Sequence, residues 1–428
     1  LFAGVGGFRC GLNNIKTTED YGKEEKWDTV WFSQWEPAEK NTQYAHDCYV
    51  YRFGTRLDNN GKDTTNYNIE DVDKATLPDF NLLVGGFPCQ DYSVASSLAT
   101  SKGLEGKKGI LWWSIRETVE KKQPPFILLE NVDRLLKSPA KQRGRDFGII
   151  LACLRDEGYT VEWRVINAAD YGRSQRRRRV FFFVFRNDTK YAKSLDSKYE
   201  NEDIVFEEHK YDDYLFQTGL FATQFPIKQA PVKNRQVFYE LEDDIVAVSD
   251  NFTGTVWNTG VMRHGKYYSI ETVANFDGNP ITLGEILQDE TEVPDKYFLT
   301  DKAKLEKFQY LRGPKKLERT SADGHTYIYS EGGMSPYDDL NLPGRTMLTS
   351  EGTVNRSTHF LFVNNKYRLL TPIEAERLQD FPDDWTAYKK LEDGTVVEVS
   401  DKMRMFFMGN ALVTEIVRKI GDFIKTID

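Results

Sequence analysis

The sequence predicts an open α/β fold interrupted by an inserted, mostly irregular and β domain. Three observations carry this. A glycine-rich strand-to-helix turn, Leu1-Phe2-Ala3-Gly4-Val5-Gly6-Gly7, opens the chain. Apolar runs of strand length then alternate with amphipathic helical segments as far as Phe185. From about Asn187 to Asn365 the alternation stops, and charged and aromatic residues mix without a period. The expected domains are residues 1–186, an insertion at 187–365, and a C-terminal segment at 366–428 whose last helix returns to the first domain.

In chain order, Gly4, Gly6 and Gly7 let backbone N–H groups approach a ligand at the positive end of a helix. Such a turn also serves simply to reverse the chain. A strand is expected at residues 29–32, closing in Ser33-Gln34-Trp35-Glu36. A polar or acidic side chain there commonly bonds a ribose hydroxyl; the alternative is a helix N-terminal turn, favoured by Glu36-Pro37. Asn68 can accept from an adenine amino group or serve as a turn residue. Residues 81–84 read as a short apolar strand running into Gly85, Gly86 and Pro88. These place Cys89 on a stiff loop past a strand's carboxyl end. Ligands of open α/β sheets bind at that edge, and a thiol there is a candidate nucleophile.

The long polar loop that follows reads as a mobile lid or a passive surface loop. Leu111, Ile115 and Val119 mark a helix at 110–122. Residues 126–129 form an apolar strand of the kind buried in a parallel sheet, ending in Glu130-Asn131-Val132. An acid there is costly unless it is paired or functional. Another helix carries Phe147, Ile150, Leu151 and Leu154 and closes at Gly158. Residues 163–166 and 180–185 read as paired strands with an arginine cluster between them. Strand alternation puts Arg177 and Arg179 on one face, suited to phosphate or base-edge contacts. Later, Thr371, Pro372 and Glu374 fit an N-cap, a first helical position and the reciprocal capping acid. Leu412, Ile416 and Ile420 are spaced to pack one face of a last helix.

Composition narrows the function. The 428 residues include four cysteines, none at a C-x-x-C spacing, which fits a reducing compartment. Five scattered histidines argue against a zinc site, so no metal is expected. No apolar window is long enough to span a bilayer, no signal peptide is visible, and no membrane partner is expected. A net charge of −9 argues mildly against nucleic acid, but local patches decide, and Arg173 with Arg176, Arg177, Arg178 and Arg179 forms the densest positive one. Leu1 stands at what reads as a strand end, so a few strand residues are expected to be missing from this numbering.

Six stretches, LFAGVGG, GGFPCQ, LLENV, QRRRR, RLLTPIEAERLQDFP and GNAL, run from Leu1 to about Phe185 and from Arg368 to Val417. In type and order they resemble the motifs of DNA (cytosine-5)-methyltransferases of the bacterial restriction-modification type. The resemblance implies a Rossmann-like domain dependent on S-adenosylmethionine, with S-adenosylhomocysteine as product. It implies methyl transfer to carbon 5 of a cytosine flipped out of a specific sequence in double-stranded DNA.

Carried onto these residues, the resemblance has Cys89 attack carbon 6, Glu130 engage N3 and the exocyclic amine, and Arg177 and Arg179 hold the base. Phe2, Ala3, Gly4, Gly6 and Gly7 would form the cofactor loop, with Gln34, Trp35, Glu36, Asn68, Ile69, Pro88, Leu111 and Asn410 around it. Gln34 and Asn68 stand where the family often has Glu and Asp; an amide oxygen still accepts, and Glu36 is the alternative ribose partner. DNA contacts are expected from Ser93, Ser96, Gln175 and Arg176, and from Thr346 and Met347 in a stretch that resembles the family's T-L region. The insertion would be the target recognition domain across the major groove. Nearby arginines are expected to lower the Cys89 thiol below the free value of about 8.5. A monomer in the bacterial cytoplasm, nucleoid-associated and working beside a separate cognate restriction endonuclease, completes the expectation.

Three rivals remain at this stage. An RNA (tRNA) cytosine-5 methyltransferase shares the catalytic motifs but usually has a recognition domain smaller than the roughly 180 residues inserted here. A non-catalytic DNA-binding module would have no use for Cys89, Glu130, Arg177 and Arg179 together. A cysteine hydrolase would need an adjacent base, and none is near Cys89 in sequence.

Overall fold

The central element is a seven-stranded sheet in the order β1-β2-β4-β3-β6-β7-β5. Its strands are β1 (Leu82–Gly86), β2 (Phe126–Val132), β3 (Tyr159–Asn167), β4 (Arg178–Arg186), β5 (Gln236–Glu240), β6 (Thr259–Arg263) and β7 (Lys266–Ile270). The computed structural model describes residues 1–19, 25–37, 42–87, 111–199, 212–321 and 324–427. Cys89, Pro88, Ser93 and Ser96 lie outside the described residues.

The apolar run of β2 is continuous because both faces of the sheet are covered. Ile127 and Leu129 join one core with Ile115, Val119, Phe147 and Ile150. These belong to α3 (Leu111–Lys122) and α4 (Arg145–Asp156). Phe126 and Leu128 join another with Phe181, Phe183, Ile416 and Ile420. The period-2 alternation of a strand thus divides one apolar run between two cores. Burying a side chain of this size contributes roughly 1.5–3 kcal/mol, so the sheet is held from both sides.

β3 and β4 pair antiparallel, as the hairpin-like pair expected there. β2, expected in a parallel sheet, pairs in parallel with β1 on one side and antiparallel with β4 on the other. Residues 29–32 do not form the expected strand. Thr29 O accepts instead from the Arg56 side chain, Nε at 2.9 Å.

The sheet also does not end at Asn187. β6 pairs with β3, and β7 and β5 follow it, so strands between residues 187 and 365 extend the first domain's own sheet. The boundary expected at 187 does not coincide with the sheet edge. Beyond Ile270 follow α8 (Lys302–Arg312) and the hairpins β8–β9 (Lys315–Thr320, Thr326–Glu331) and β10–β11 (Leu361–Val363, Lys366–Arg368), the last of which crosses the boundary expected at 365. Leu283, Met347 and Leu361 share a core with Val5, Cys10, Leu378 and Met408, so residues from all three expected segments pack together there.

The C-terminal expectations hold locally. α9 (Pro372–Leu378) begins with a capping box made by Thr371 and Glu374. Glu374 also pairs with Arg368 at 2.7 Å. α11 (Thr414–Ile427) buries Ile416, Ile420 and Ile424 in the core that contains Phe8 and Leu12 of α1 (Gly7–Leu12), bringing the last helix back to the first. Leu412 lies just before α11 and is buried too.

One buried polar network ties the start of the insertion to β3. Glu162 is fully buried and accepts from Tyr214 Oη at 2.8 Å and Phe221 N–H at 3.3 Å. Burial still pushes its carboxyl up to about 7, against the Tyr214 bond and the charge of Arg164. Between its ordinary value of 4.5 and about 7, the folded state binds the proton more tightly than the unfolded one. The contribution of Glu162 to stability is therefore present at low pH and is lost as pH rises through that window. Glu162→Gln keeps an acceptor without the charge. It is expected to flatten the pH dependence and to raise stability at pH 8 by about 1–3 kcal/mol. Urea midpoints from pH 5 to pH 8 check this; parallel curves for the two proteins would contradict it.

Candidate active site

The carboxyl ends of β1 and β2 open onto a cleft of about 1170 Å³. A single drug-sized ligand takes roughly 300–1,000 Å³, so a cofactor and a second ring fit together.

Glu130 projects into this cleft from the end of β2. It stands opposite Gly86 on one side and Phe181 on the other. Arg179, two residues before Phe181, is its diagonal neighbour on the same face, and Arg179 Nε donates to Glu130 Oε1 at 2.9 Å. A Cβ at position 86 would sit 3.2 Å from Glu130 Oε2, so glycine there leaves the carboxylate room. Burial pushes the Glu130 carboxyl up, and the charges of Arg179 and Arg177 oppose this without cancelling it. A carboxyl shifted that way keeps a proton closer to neutrality than a free one.

Arg177 also lines the cleft and is buried. Its Nη1 donates to Met347 O at 3.0 Å and its Nη2 to Gly409 O at 2.9 Å. Its Nε is buried with no hydrogen-bond partner among the described residues. Burial, with the charge of Arg179, pushes the guanidinium down to about 9, Glu130 opposing. Arg176 and Arg178 point outward and are exposed, as strand alternation expected.

Asn131, beside Glu130 in the LLENV stretch, donates from its amide to Phe87 O at 2.9 Å, and its oxygen accepts from Val132 N–H at 2.8 Å. It thereby ties Phe87, two residues before Cys89 in sequence, to the end of β2. Of the other cysteines, Cys10, Cys48 and Cys153 are buried and free. Burial pushes the Cys48 thiol up to about 12 and that of Cys153 up to about 11, and it raises Cys10 as well. Buried neutral thiols are inert.

At the other end of the cleft, Phe2, Ala3, Gly4 and Gly7 form part of the wall, as do Trp35 and Leu111. Gly4 has φ +54, and a Cβ added there would meet nothing within 4 Å. The loop thus borders open space rather than packed protein, which fits an adenosine-bearing sulfonium ligand. Phe2 and Trp35 supply ring faces, which attract both flat heterocycles and cations.

Several expected contacts fall differently. Gln34 lines the cleft, but its Oε1 accepts from Gly4 N–H at 2.8 Å and so buttresses the loop. Glu36 lines it too, while its Oε1 accepts from Ala45 N–H at 2.9 Å at the start of α2 (Tyr44–Phe53). Both readings of Glu36, cleft residue and helix-terminal acid, are thus compatible. Gly6 turns away: it caps α1 at φ +93, and a Cβ there would come 2.8 Å from Phe53. Asn68 is not on the cleft wall; its oxygen accepts from Glu70 N–H at 3.2 Å and caps a short turn. Ile69 is buried in the apolar core.

The expected DNA contacts divide in the same way. Gln175 is buried, donating to Leu378 O at 3.0 Å and accepting from Met347 N–H at 3.0 Å. Met347 is wholly buried. These two side chains are spent on the seam between first domain and insertion. Thr346 Oγ1 donates to Arg176 O at 2.6 Å, so Thr346 also fixes that seam. Arg176 remains exposed beside it.

The sequence reading missed α10 (Asp401–Asn410). It lines the cleft with Lys402, Met403, Phe406 and Asn410. Met403, Phe406, Phe407 and Asn410 fall at i, i+3, i+4 and i+7, a helical period that could have located it. Insertion residues Thr349, Gly352 and Thr353 complete the wall. A Cβ on Gly409 would come 2.4 Å from Thr349 N, so glycine lets helix and insertion meet where Arg177 bridges them.

A buried acid paired with arginine at a strand end, beside a glycine loop with ring faces, gives an α/β fold whose cleft suits a heteroaromatic base beside a second ligand. Comparison with known proteins identifies the family. A family model for the C-5 cytosine-specific DNA methylase matches residues 1–426, and the chain belongs to that family. It is 48% identical over 428 residues to the Type II methyltransferase M.Sau3AI of Staphylococcus aureus, covering 100% of this chain and 95% of that one. It is 31% identical over 239 residues to the Type II methyltransferase M.NgoBI of Neisseria gonorrhoeae, covering 54% and 65%. Among solved structures, the S. pombe Dnmt2 methyltransferase superposes with a TM-score of 0.53 at 14% identity over 100% of this chain and 96% of that one, which supports the fold. The chain is a DNA (cytosine-5-)-methyltransferase that uses S-adenosylmethionine. The RNA reading has less support. Among the described residues, no helix is long and apolar enough to cross a membrane.

Proposed function

We propose that the chain methylates a flipped cytosine in a specific duplex sequence through a covalent adduct at Cys89. The observation that supports this most is the pairing, in one cleft, of a carboxyl raised by burial with an arginine donor that has no acceptor among the described residues. Cytosine presents the complement: N3 and O2 accept side by side, and the exocyclic amine donates. Glu130 shares a proton with N3 and accepts from the amine, while Arg177 Nε donates to O2. Arg179 holds the Glu130 carboxylate in place.

S-adenosylmethionine, when bound, supplies the methyl group as an electrophile on a sulfonium sulfur. The Cys89 thiolate adds to carbon 6, and the electron pair of the 5,6 bond moves to carbon 5. Glu130 relieves the charge reaching N3. Carbon 5 bonds the methyl carbon as the methyl–sulfur bond breaks, its electron pair staying on the sulfur of S-adenosylhomocysteine, and carbon 5 then gives its proton to solvent. The electron pair of that carbon–hydrogen bond re-forms the 5,6 double bond and expels Cys89 as thiolate. Three of the four cysteines are buried with raised thiols, which leaves the role to Cys89.

The Type II names of the relatives support a restriction-modification setting in a bacterial cytoplasm, where a separate endonuclease cuts the unmodified site. Labelled methyl transfer to duplex DNA and to tRNA, compared side by side, tests the substrate. Transfer to DNA alone is expected; transfer confined to tRNA would overturn the reading.

A further inference from the structure

The β8–β9 hairpin stands apart from every core. It is a two-stranded sheet of its own, and a lone ribbon is marginally stable. Even so it exposes Leu317, Tyr327 and Ile328, the last at 71%. Antiparallel pairing sets Leu317 opposite Tyr329 and Arg319 opposite Tyr327, so these four share one face. The guanidinium of Arg319 lies 3.9 Å above the Tyr329 ring, which orients it before any partner arrives. Ile328 lies on the other face, opposite Glu318.

The first strand and the helix before it are basic. From Lys302 to Glu331 there are seven Lys or Arg against four Asp or Glu, in a chain whose net charge is −9. The root of the ribbon is tied to the catalytic cleft by ion pairs on the buried Asp338. Arg312 at the end of α8 pairs with Asp338 at 2.6 Å, and Asp338 pairs with Arg345 at 2.5 Å. The segment 344–347 then joins Arg176 and Arg177 through Gly344, Thr346 and Met347. Lys315, Glu331 and Arg356 clamp the ribbon's base.

We propose that this ribbon enters the major groove of the substrate duplex and that its Leu317, Arg319, Tyr327 and Tyr329 face reads base edges. The inference rests on the reading above that the target cytosine lies in duplex DNA. A B-form major groove, about 12 Å wide, admits a two-stranded ribbon, and a pre-oriented arginine pairs bidentately with guanine O6 and N7. The ion pairs on Asp338 set the distance between the bases read and the base methylated.

The test is bisulfite sequencing of a randomised duplex library methylated by full-length variants of unchanged thermal midpoint. Arg319→Ala is expected to lose roughly tenfold to a hundredfold in kcat/KM on the preferred sequence and to relax preference at one base pair. Arg319→Lys should not restore it, since lysine lacks the fork. Ile328→Ser, on the outward face, should stay within about twofold. Unchanged preference in Arg319→Ala, a loss uniform over all sequences, or a loss confined to Ile328→Ser would each overturn the proposal. So would unchanged turnover in Arg319→Ala together with loss of self-association, which would make the ribbon a protein contact. Adduct formation with 5-fluorocytosine DNA separates the two readings: its absence from the wild type indicts the catalytic assignment, whereas adduct with unaltered preference in Arg319→Ala indicts the ribbon alone.

Discussion

Cys89→Ser is expected to abolish methyl transfer, with turnover falling by about four orders of magnitude or more, the scale on which enzymes lose activity with their nucleophile. A serine hydroxyl ionises far less readily than a thiol, and the anion is the attacking form. No other described thiol can substitute, because Cys10, Cys48 and Cys153 are buried. DNA binding should persist, since the exposed basic residues are untouched. Single-turnover transfer of a labelled methyl group, with a gel-shift measurement in parallel, reads both quantities. Appreciable turnover by the variant would reject the assignment.

Glu130→Gln is expected to lower kcat by about two to four orders of magnitude, the usual contribution of a positioned acid–base group. The substitution is nearly isosteric, and its amide oxygen still accepts from Arg179 Nε, so the fold should not change. What it removes is a titratable proton at N3. Burial raises the Glu130 carboxyl, so the wild type retains the protonated form up to a higher pH than a free carboxyl would, and loses it as pH rises through that value. The wild-type profile of kcat/KM should carry this limb. In Glu130→Gln it should be gone, leaving a low, flat response. A variant with the same limb would assign the ionisation to another group.

These residues were legible in the sequence because their signals are local. An acid closing an apolar run, an alternating arginine cluster and a T-P-x-E cap each declare themselves within a few residues. Glu130, Arg177 and Arg179 accordingly line one cleft, and the Thr371 cap forms. What was not legible depends on distant partners. The short strands β5, β6 and β7 mix Tyr, Lys and Gly, and nothing in them signals that β6 pairs with Trp163 and Arg164 of β3. Gln34, Asn68 and Gln175 carry the right chemistry for ligand contact, but each spends amide groups on backbone within the fold. A short polar side chain reads the same whether it faces a ligand or a turn. Met347 is buried for a related reason: the seam along residues 344–347 consumes both sides of that stretch.

The proposed reaction requires a covalent bond between Cys89 and the substrate base. Incubating the protein with S-adenosylmethionine and a duplex carrying 5-fluorocytosine blocks loss of the carbon 5 substituent and should trap a complex stable to denaturation. Peptide mapping is expected to place the link at Cys89, and Cys89→Ala is expected to form none. Methylation of DNA by the wild type without any trapped complex, or a link at another residue, would contradict it.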